Sequence, residues 1–273
     1  MPEDAARIDP ARMPLPRSFF ARDPRVIAPD LLGVIVEHDV GGVRVAVRLT
    51  EVEAYLGQGE DPASHSYRGL SPRNAVMFGP PGHAYIYFTY GMHWCANVTC
   101  RPEGISGGVL LRAGEVVTGL DVARRRRPAA RKDVDLARGP ARLASALGLT
   151  GADNGRDFCS TGSGSGPGSG SGASGGSGPG EFGGSGLGSG ASGASGGSGP
   201  GEFGGSGLGS AESAVGDGGL RMLVGEPVEA SQVRFGPRVG VTAAGATSPW
   251  RWWLVEEPTV SVYRPAKPRT RRP

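Results

Sequence analysis

Across 47–97 the sequence gathers reactive side chains more densely than anywhere else: Glu51, Glu53, Asp61, His65, three arginines and Tyr55, Tyr85, Tyr87 and Tyr90. Three chemistries compete for that set. Glu51, Glu53, Asp61 and His65 are hard metal ligands, but their spacing matches no standard site and only one histidine is near. Gly79-Pro80-Pro81-Gly82 has the glycines of a phosphate-cradling loop, yet two prolines remove the N–H donors such a loop needs, so it reads as a turn. The third is an aromatic-walled pocket with one activating carboxylate. Tyrosines 55, 85, 87 and 90 with His65 could stack on a planar ligand, and each stacked base contributes roughly 1–3 kcal/mol. The same rings would also serve as plain core. Against that, Glu53 and Tyr55 share one face of an apolar strand, and a buried acid is costly without a purpose. Nothing in this pattern calls for a metal or a cofactor.

The elements that position these groups follow from periodicity. LLGVIV (31–36) is apolar and β-branched, and 43–49 alternates strictly, with Val43, Val45, Val47 and Leu49 against Arg44, Ala46 and Arg48. With His38–Gly42 between them as a turn, the two runs predict a hairpin. The second strand runs on into Glu51, Glu53 and Tyr55, which share the face opposite Val52. After a polar loop over 57–74, the stretch 84–100 alternates again, with Tyr85, Tyr87 and Thr89 opposite Ile86, Phe88 and Tyr90. Gly91 breaks that run and leaves Tyr90 where the strand must turn. A short strand is predicted over 107–113, and helices over 119–127 and 141–147, the latter entered by Gly139-Pro140. Ser18-Phe19-Phe20 opens a helix that Pro24 and Pro29 keep short. Structure resumes at 220–224 and ends near Trp250, Trp252 and Trp253.

Charge divides the 273 residues. Residues 1–158 carry 20 Lys/Arg against 18 Asp/Glu, 159–219 carry none against 4, and 220–273 carry 9 against 4. The basic excess, clustered at 124–127 and in the tail RPAKPRTRRP, suits a polyanionic partner. Residues 160–210 are Gly/Ser-rich, with one 19-residue block at 171–189 repeated at 192–210. That composition predicts a disordered surface insertion with no core of its own. Three cysteines without metal-type spacing offer no disulfide framework, and Cys95 and Cys100 read as small apolar residues. The N-terminal 16 residues are Pro-rich and lack an apolar core, so a flexible leader is expected rather than a signal peptide or anchor. With no run of spanning length, a cytoplasmic protein is expected.

Several blocks now stand in a telling order: TEVEAYLG, the HS…SPRN segment, YIYFTYGMHWCAN, GVLLRA and RGPARLASALG. In this the chain resembles the alkyladenine (3-methyladenine, or methylpurine) DNA glycosylase family, over nearly all of 18–157 and again over 220–262. The resemblance implies an α+β fold: one domain on a curved, mainly antiparallel β-sheet with flanking helices, similar to a formyltransferase C-terminal domain. That domain would comprise 17–159 and 220–263, leaving out the leader (1–16), the insertion (160–219) and the basic tail (264–273). Glu53 would be the general base that activates water. Tyr55, His65 and Tyr87 would stack on an extruded base, Asn97 would crowd out purines bearing an exocyclic amino group, and Arg112 would help hold the water or the flipped nucleotide. Tyr90 would wedge into the duplex, with Met92 beside it, and Arg73 would touch the backbone. The partner would be double-stranded DNA containing damaged purines, bound by a monomer associated with the nucleoid. Two departures stand out: the insertion, and Arg142 where many members have Lys.

The chemistry is consistent with that. Sugar hydrolases usually need two carboxyl groups. An alkylated purine is cationic and leaves easily, so one carboxylate that aligns water and offsets positive charge suffices. The only lysines are Lys132 and Lys267, neither in the tyrosine-rich stretch. A Schiff-base route with strand nicking is therefore not expected. Two alternatives use the same residues: a non-catalytic nucleic-acid-binding module built on the aromatic groove, and a formyltransferase-type domain. A binder has no use for a buried Glu53, which separates it from a hydrolase.

Overall fold

The structure, a computed structural model, describes residues 12–160, 219–242 and 245–266. Strands β1 (Ile35–Val40) and β2 (Val43–Tyr55) form the expected hairpin, with a tighter turn than the sequence suggests. His38, Asp39 and Val40 remain in the strand, and Gly41 and Gly42, both at positive φ, make the reversal while Asp39 Oδ1 accepts the Gly42 N–H at 2.9 Å. Leu31 instead ends helix α2 (Pro24–Asp30), which follows the single turn α1 (Arg17–Phe20). Pro24 sits at the start of α2, where its missing N–H costs nothing, and Asp23 caps that end.

Strands β3 (Ala84–Thr89) and β4 (His93–Thr99) form a second hairpin, and β5 (Gly108–Thr118) runs five residues past its expected end. With β6 (Leu220–Leu223) the strand order is β3-β4-β5-β2-β1-β6, antiparallel throughout. β2 is long enough to serve two neighbours on one side. Its first half pairs with β1 and its second with β8 (Arg251–Leu254), which also pairs with β7 (Val233–Gly236). The end of β2 that carries the glutamates therefore lies between β5 and β8.

Pairing of β2 with β5 shifts register around Leu49–Val52. Thr50 and then Arg112 are passed over, and such bulges bend a strand and re-aim its side chains. Val45, Val47 and Leu49 lie in the core, and after the shift so do Val52 and Ala54. Without it, Glu51 and Glu53 would have followed Val47 and Leu49 into apolar surroundings. The sheet is curved as a result, and its apolar side is covered by α2 and by α4 (Pro140–Leu147), whose Leu143, Ala144, Ala146 and Leu147 are buried. α3 (Leu120–Arg126) packs beside α4. This is the single-domain α+β architecture expected.

Residues 1–11 of the expected leader and nearly all of the insertion and tail lie outside the described residues. Arg12–Leu15 run along β6, where Leu15 N–H donates to Met222 O at 2.8 Å. The chain leaves for the insertion and returns beside itself, since Met222 N–H donates to Phe158 O at 3.0 Å. No helix among the described residues is long and apolar enough to cross a membrane.

Candidate active site

Glu51 and Glu53 are both fully buried, and their partners differ. Glu51 Oε1 accepts from Arg112 Nε (2.7 Å), Arg251 Nε (2.7 Å) and Ser261 Oγ (2.9 Å), and its Oε2 accepts from Ser261 N–H (2.7 Å). Burial alone would raise this carboxyl's pKa, but the Arg112 and Arg251 charges and Ser261 outweigh it and hold it below the usual carboxylate value. Glu53 is less occupied. Its Oε2 accepts from the Tyr55 hydroxyl (2.9 Å) and faces Arg112 Nη1 (3.1 Å), while its Oε1 takes only the Val239 N–H (2.7 Å). A carboxylate has about four acceptor positions. One on Glu53 Oε1 is therefore open. Burial first, and then the neighbouring Glu53 charge, push the Tyr55 hydroxyl well above its ordinary pKa, so it stays protonated and donates.

Next to this pair lies a cavity lined by Tyr55, Ala63, Ser64, His65, Met77, Tyr85, Tyr87 and Asn97. It holds about 80 Å³, and four of its eight lining residues are the rings of Tyr55, His65, Tyr85 and Tyr87. Tyr85 and Tyr87 stack with centroids 5.6 Å apart, and His65 meets Tyr87 edge-on at 4.5 Å. Both tyrosines come from the same face of β3, as their spacing predicts. His65 is held from two sides: Nδ1 lies 3.0 Å from the Tyr85 hydroxyl, and its carbonyl accepts from Asn74 Nδ2 at 3.0 Å. Partial burial, helped by the Arg73 charge, lowers the imidazole's pKa, so the ring is neutral at pH 7. Asn97 Nδ2 donates to Tyr85 O at 3.1 Å.

The structure thus brings Tyr55, His65, Tyr87 and Asn97 together around one cavity, with Glu53 and Arg112 adjoining it through Tyr55. Tyr90, Met92 and Arg73 line no part of it. Tyr90 and Met92 sit at the β3–β4 turn, 88% and 67% exposed, and Arg73 is exposed near Phe88. Tyr90 adopts φ 51° ahead of Gly91 at φ 66°. A left-handed tyrosine with its ring in solvent is strained and unpacked, a combination found at functional sites. From this turn a basic surface opens: a cleft of about 330 Å³ lined by Met92, His93, Trp94 and Arg126, then one of about 720 Å³ lined by Arg127, Arg131 and Arg142.

Sequence reasoning missed much of what supports the glutamates. Arg251 and Ser261 bind Glu51, and Val239 binds Glu53, from more than 180 residues downstream. Asp61, weighed above only as a metal ligand, instead pairs with Arg238, Nη1 to Oδ2 at 2.6 Å and Nη2 to Oδ1 at 2.9 Å. Among the described residues no group of three His, Cys, Asp or Glu is placed to hold a metal ion.

A buried carboxylate thus adjoins an aromatic-walled cavity through Tyr55. The family model described as methylpurine-DNA glycosylase matches residues 18–165. The chain is 42% identical over 263 residues to a protein of Streptomyces avermitilis (96% of this chain, 98% of that one) and 43% identical over 249 residues to one of Frankia casuarinae (91% and 92%). A Burkholderia lata protein is 52% identical over 162 residues (58% and 76%). Each of these relatives carries the name "Putative 3-methyladenine DNA glycosylase". The chain belongs to the methylpurine-DNA glycosylase family. Membership removes the formyltransferase and binding-only alternatives. Arg238, Val239, Arg251 and Ser261 all lie beyond the stretch the family model matches.

Proposed function

We propose that the protein releases alkylated or deaminated purines, 3-methyladenine among them, from double-stranded DNA by hydrolysing the N-glycosidic bond. The observation that carries this reading is a buried Glu53 carboxylate joined through its Oε2 to Tyr55, which itself lines the ring-walled cavity. The damaged nucleotide swings out of the stack, and its base enters between Tyr55, His65 and Tyr87 while Asn97 limits what fits at the edge. Extrusion costs a few kcal/mol, least at weakened pairs, and glycosylases are among the enzymes known to meet that cost. Tyr90, with Met92, fills the gap in the stack. Arg73 and the cleft lined by Arg127, Arg131 and Arg142 follow the phosphate backbone.

In the chemical step a water bound at Glu53 Oε1 attacks C1′ as the C1′–N bond breaks. The bonding electron pair goes to the purine, which leaves neutral if alkylated and cationic, and as an anion that takes a proton from solvent if deaminated. The water proton passes to Glu53, and an abasic site remains. Arg112 Nη1, 3.1 Å from Glu53 Oε2, holds that oxygen in place while Oε1 meets the water. Glu51 is unsuited to the role, because its oxygens are already committed to Arg112, Arg251 and Ser261. With no lysine lining the cavity, the strand is left intact, so the enzyme is monofunctional and needs no cofactor. Residues 17–159 and 220–263 act as one domain and as a monomer. The test is incubation with a duplex carrying one lesion, analysed with and without hot alkali. Breaks seen only after alkali are expected. No breaks with any of 3-methyladenine, 7-methylguanine, hypoxanthine or ethenoadenine would overturn the reading.

A further inference from the structure

Arg238 enters from the segment between β7 and β8 and is 1% exposed. Besides its two bonds to Asp61, Nη1 donates to Ala54 O at 3.0 Å and Nη2 to Gly245 O at 3.4 Å. The guanidinium lies over the Tyr55 ring at 4.5 Å and the Trp250 ring at 5.0 Å. One residue further on, Val239 donates its N–H to Glu53 Oε1. A single buried side chain therefore ties together the residue after Glu53, the loop that carries His65, the ring that hydrogen-bonds Glu53, and the backbone that meets its other oxygen.

We infer that Arg238, paired with Asp61, is a positioning residue that sets the Glu53 carboxylate by fixing the Val239 N–H and the Tyr55 ring. The inference rests on the reading of Glu53 as the water-activating base. Charge supports it. Glu51, Glu53 and Asp61 are buried with Arg112, Arg238 and Arg251, three carboxylates against three guanidiniums. Asp61 is fully used: Oδ1 takes Arg238 and the Ala63 N–H, and Oδ2 takes Arg238 and the Leu56 N–H. Glu51 takes four bonds as well, three on Oε1 and one on Oε2, so Glu53, with three, is the least occupied carboxylate of the set. Which way it points depends on the two donors that Arg238 places. A planar fork suits this task. It can meet a carboxylate, two carbonyls and a ring face at once, which an ammonium cannot.

The test uses the full chain in two forms. Arg238→Lys keeps the charge but loses the fork and the flat face over Tyr55. Arg238→Met with Asp61→Leu removes both charges together, which a buried pair tolerates better than loss of one partner. Each is measured for melting temperature, affinity for lesion duplex and single-turnover base release across pH. The groups facing Glu53 are Arg112 from β5, Tyr55 from its own strand, Tyr87 from β3, and Arg238 with the Val239 N–H. If the inference holds, variants that melt near the parent temperature bind lesion duplex normally yet release base roughly 10–100-fold more slowly, as expected for a displaced catalytic group. A parent rate in a variant that folds would overturn the inference, as would loss of affinity alone. If the double variant does not fold, Arg238→Lys decides alone. Glu53→Gln run alongside separates the two readings. If Glu53→Gln releases base normally, the water-activating base itself is misassigned. If Glu53→Gln fails while the Arg238 variants match the parent, only the positioning role falls.

Discussion

Replacing Tyr90 by Gly should make the protein more stable and less active at once. The ring is 88% exposed, so removing it forfeits almost no packing. At φ 51° an L side chain costs about 1–2 kcal/mol that glycine does not incur, and the freer unfolded glycine chain returns about 0.4–1 kcal/mol of that. The net gain of about 0.5–1 kcal/mol corresponds to a melting temperature higher by about 1–4 °C for a domain of this size. Activity should move the other way. If the ring offsets about 2 kcal/mol of unstacking, its loss slows excision from a fully paired duplex by about 30-fold, since 1.36 kcal/mol is a factor of ten. A lesion in a mismatch or a single strand, already unstacked, should lose little. Calorimetry and gel-based excision on matched, mismatched and single-stranded substrates measure all of this. A melting drop matching the 3–5 kcal/mol of a buried aromatic would refute the reasoning. So would an equal slowing on every substrate.

Three further outcomes are expected. Neutralising Arg131 and Arg142 to Gln should weaken duplex binding without regard to sequence and flatten the dependence of log affinity on log salt by about two, near 0.9 for each phosphate no longer neutralised; an unchanged slope would take DNA off that cleft. Glu51 has its folded pKa depressed, so the unfolded chain takes up the proton first as pH falls. Its contribution to stability is full above the ordinary value of 4.5 and lost below it, so Glu51→Gln should melt lower at pH 7 and show a shallower acid fall; a parallel acid profile would contradict this. Replacing 160–218 by a short Gly/Ser turn should preserve both melting temperature and excision rate, because the chain leaves at Phe158 and returns at Met222 hydrogen-bonded side by side. A drop of more than a few degrees, or a large fall in rate at moderate salt, would show that the insertion docks on the body.

How much of this was legible depended on range. The first hairpin, the two helices entered at Gly119 and at Gly139-Pro140, and the turn at Tyr90 follow from local periodicity and from glycine and proline placement. The shared face of Glu51, Glu53 and Tyr55 was also legible. Its reason was not, because the bulge that re-phases β2 after Leu49 depends on how β5 pairs with it. The end of β5 was misjudged because polar residues such as Glu115 look like a loop until β2 is placed beside them. The largest gap lies at the carboxylates, where period-two reasoning sees two equivalent acids. Arg251 and Ser261, arriving from the far end of the chain, make one a structural anion, and Val239 leaves the other open. No spacing rule reaches across such distances, and the Arg238–Asp61 pair is hidden for the same reason.

The central role falls to Glu53, and Glu53→Gln tests it most directly. Gln keeps the shape and can still accept the Val239 N–H, but it cannot take a proton from water. Single-turnover base release and duplex affinity, measured on one lesion-bearing substrate with parent and variant, should separate. Affinity should stay within a few-fold, while release falls by at least the 10²–10⁴ typical of a missing general base. Release near the parent rate would contradict that role and point to a water activated elsewhere in the pocket.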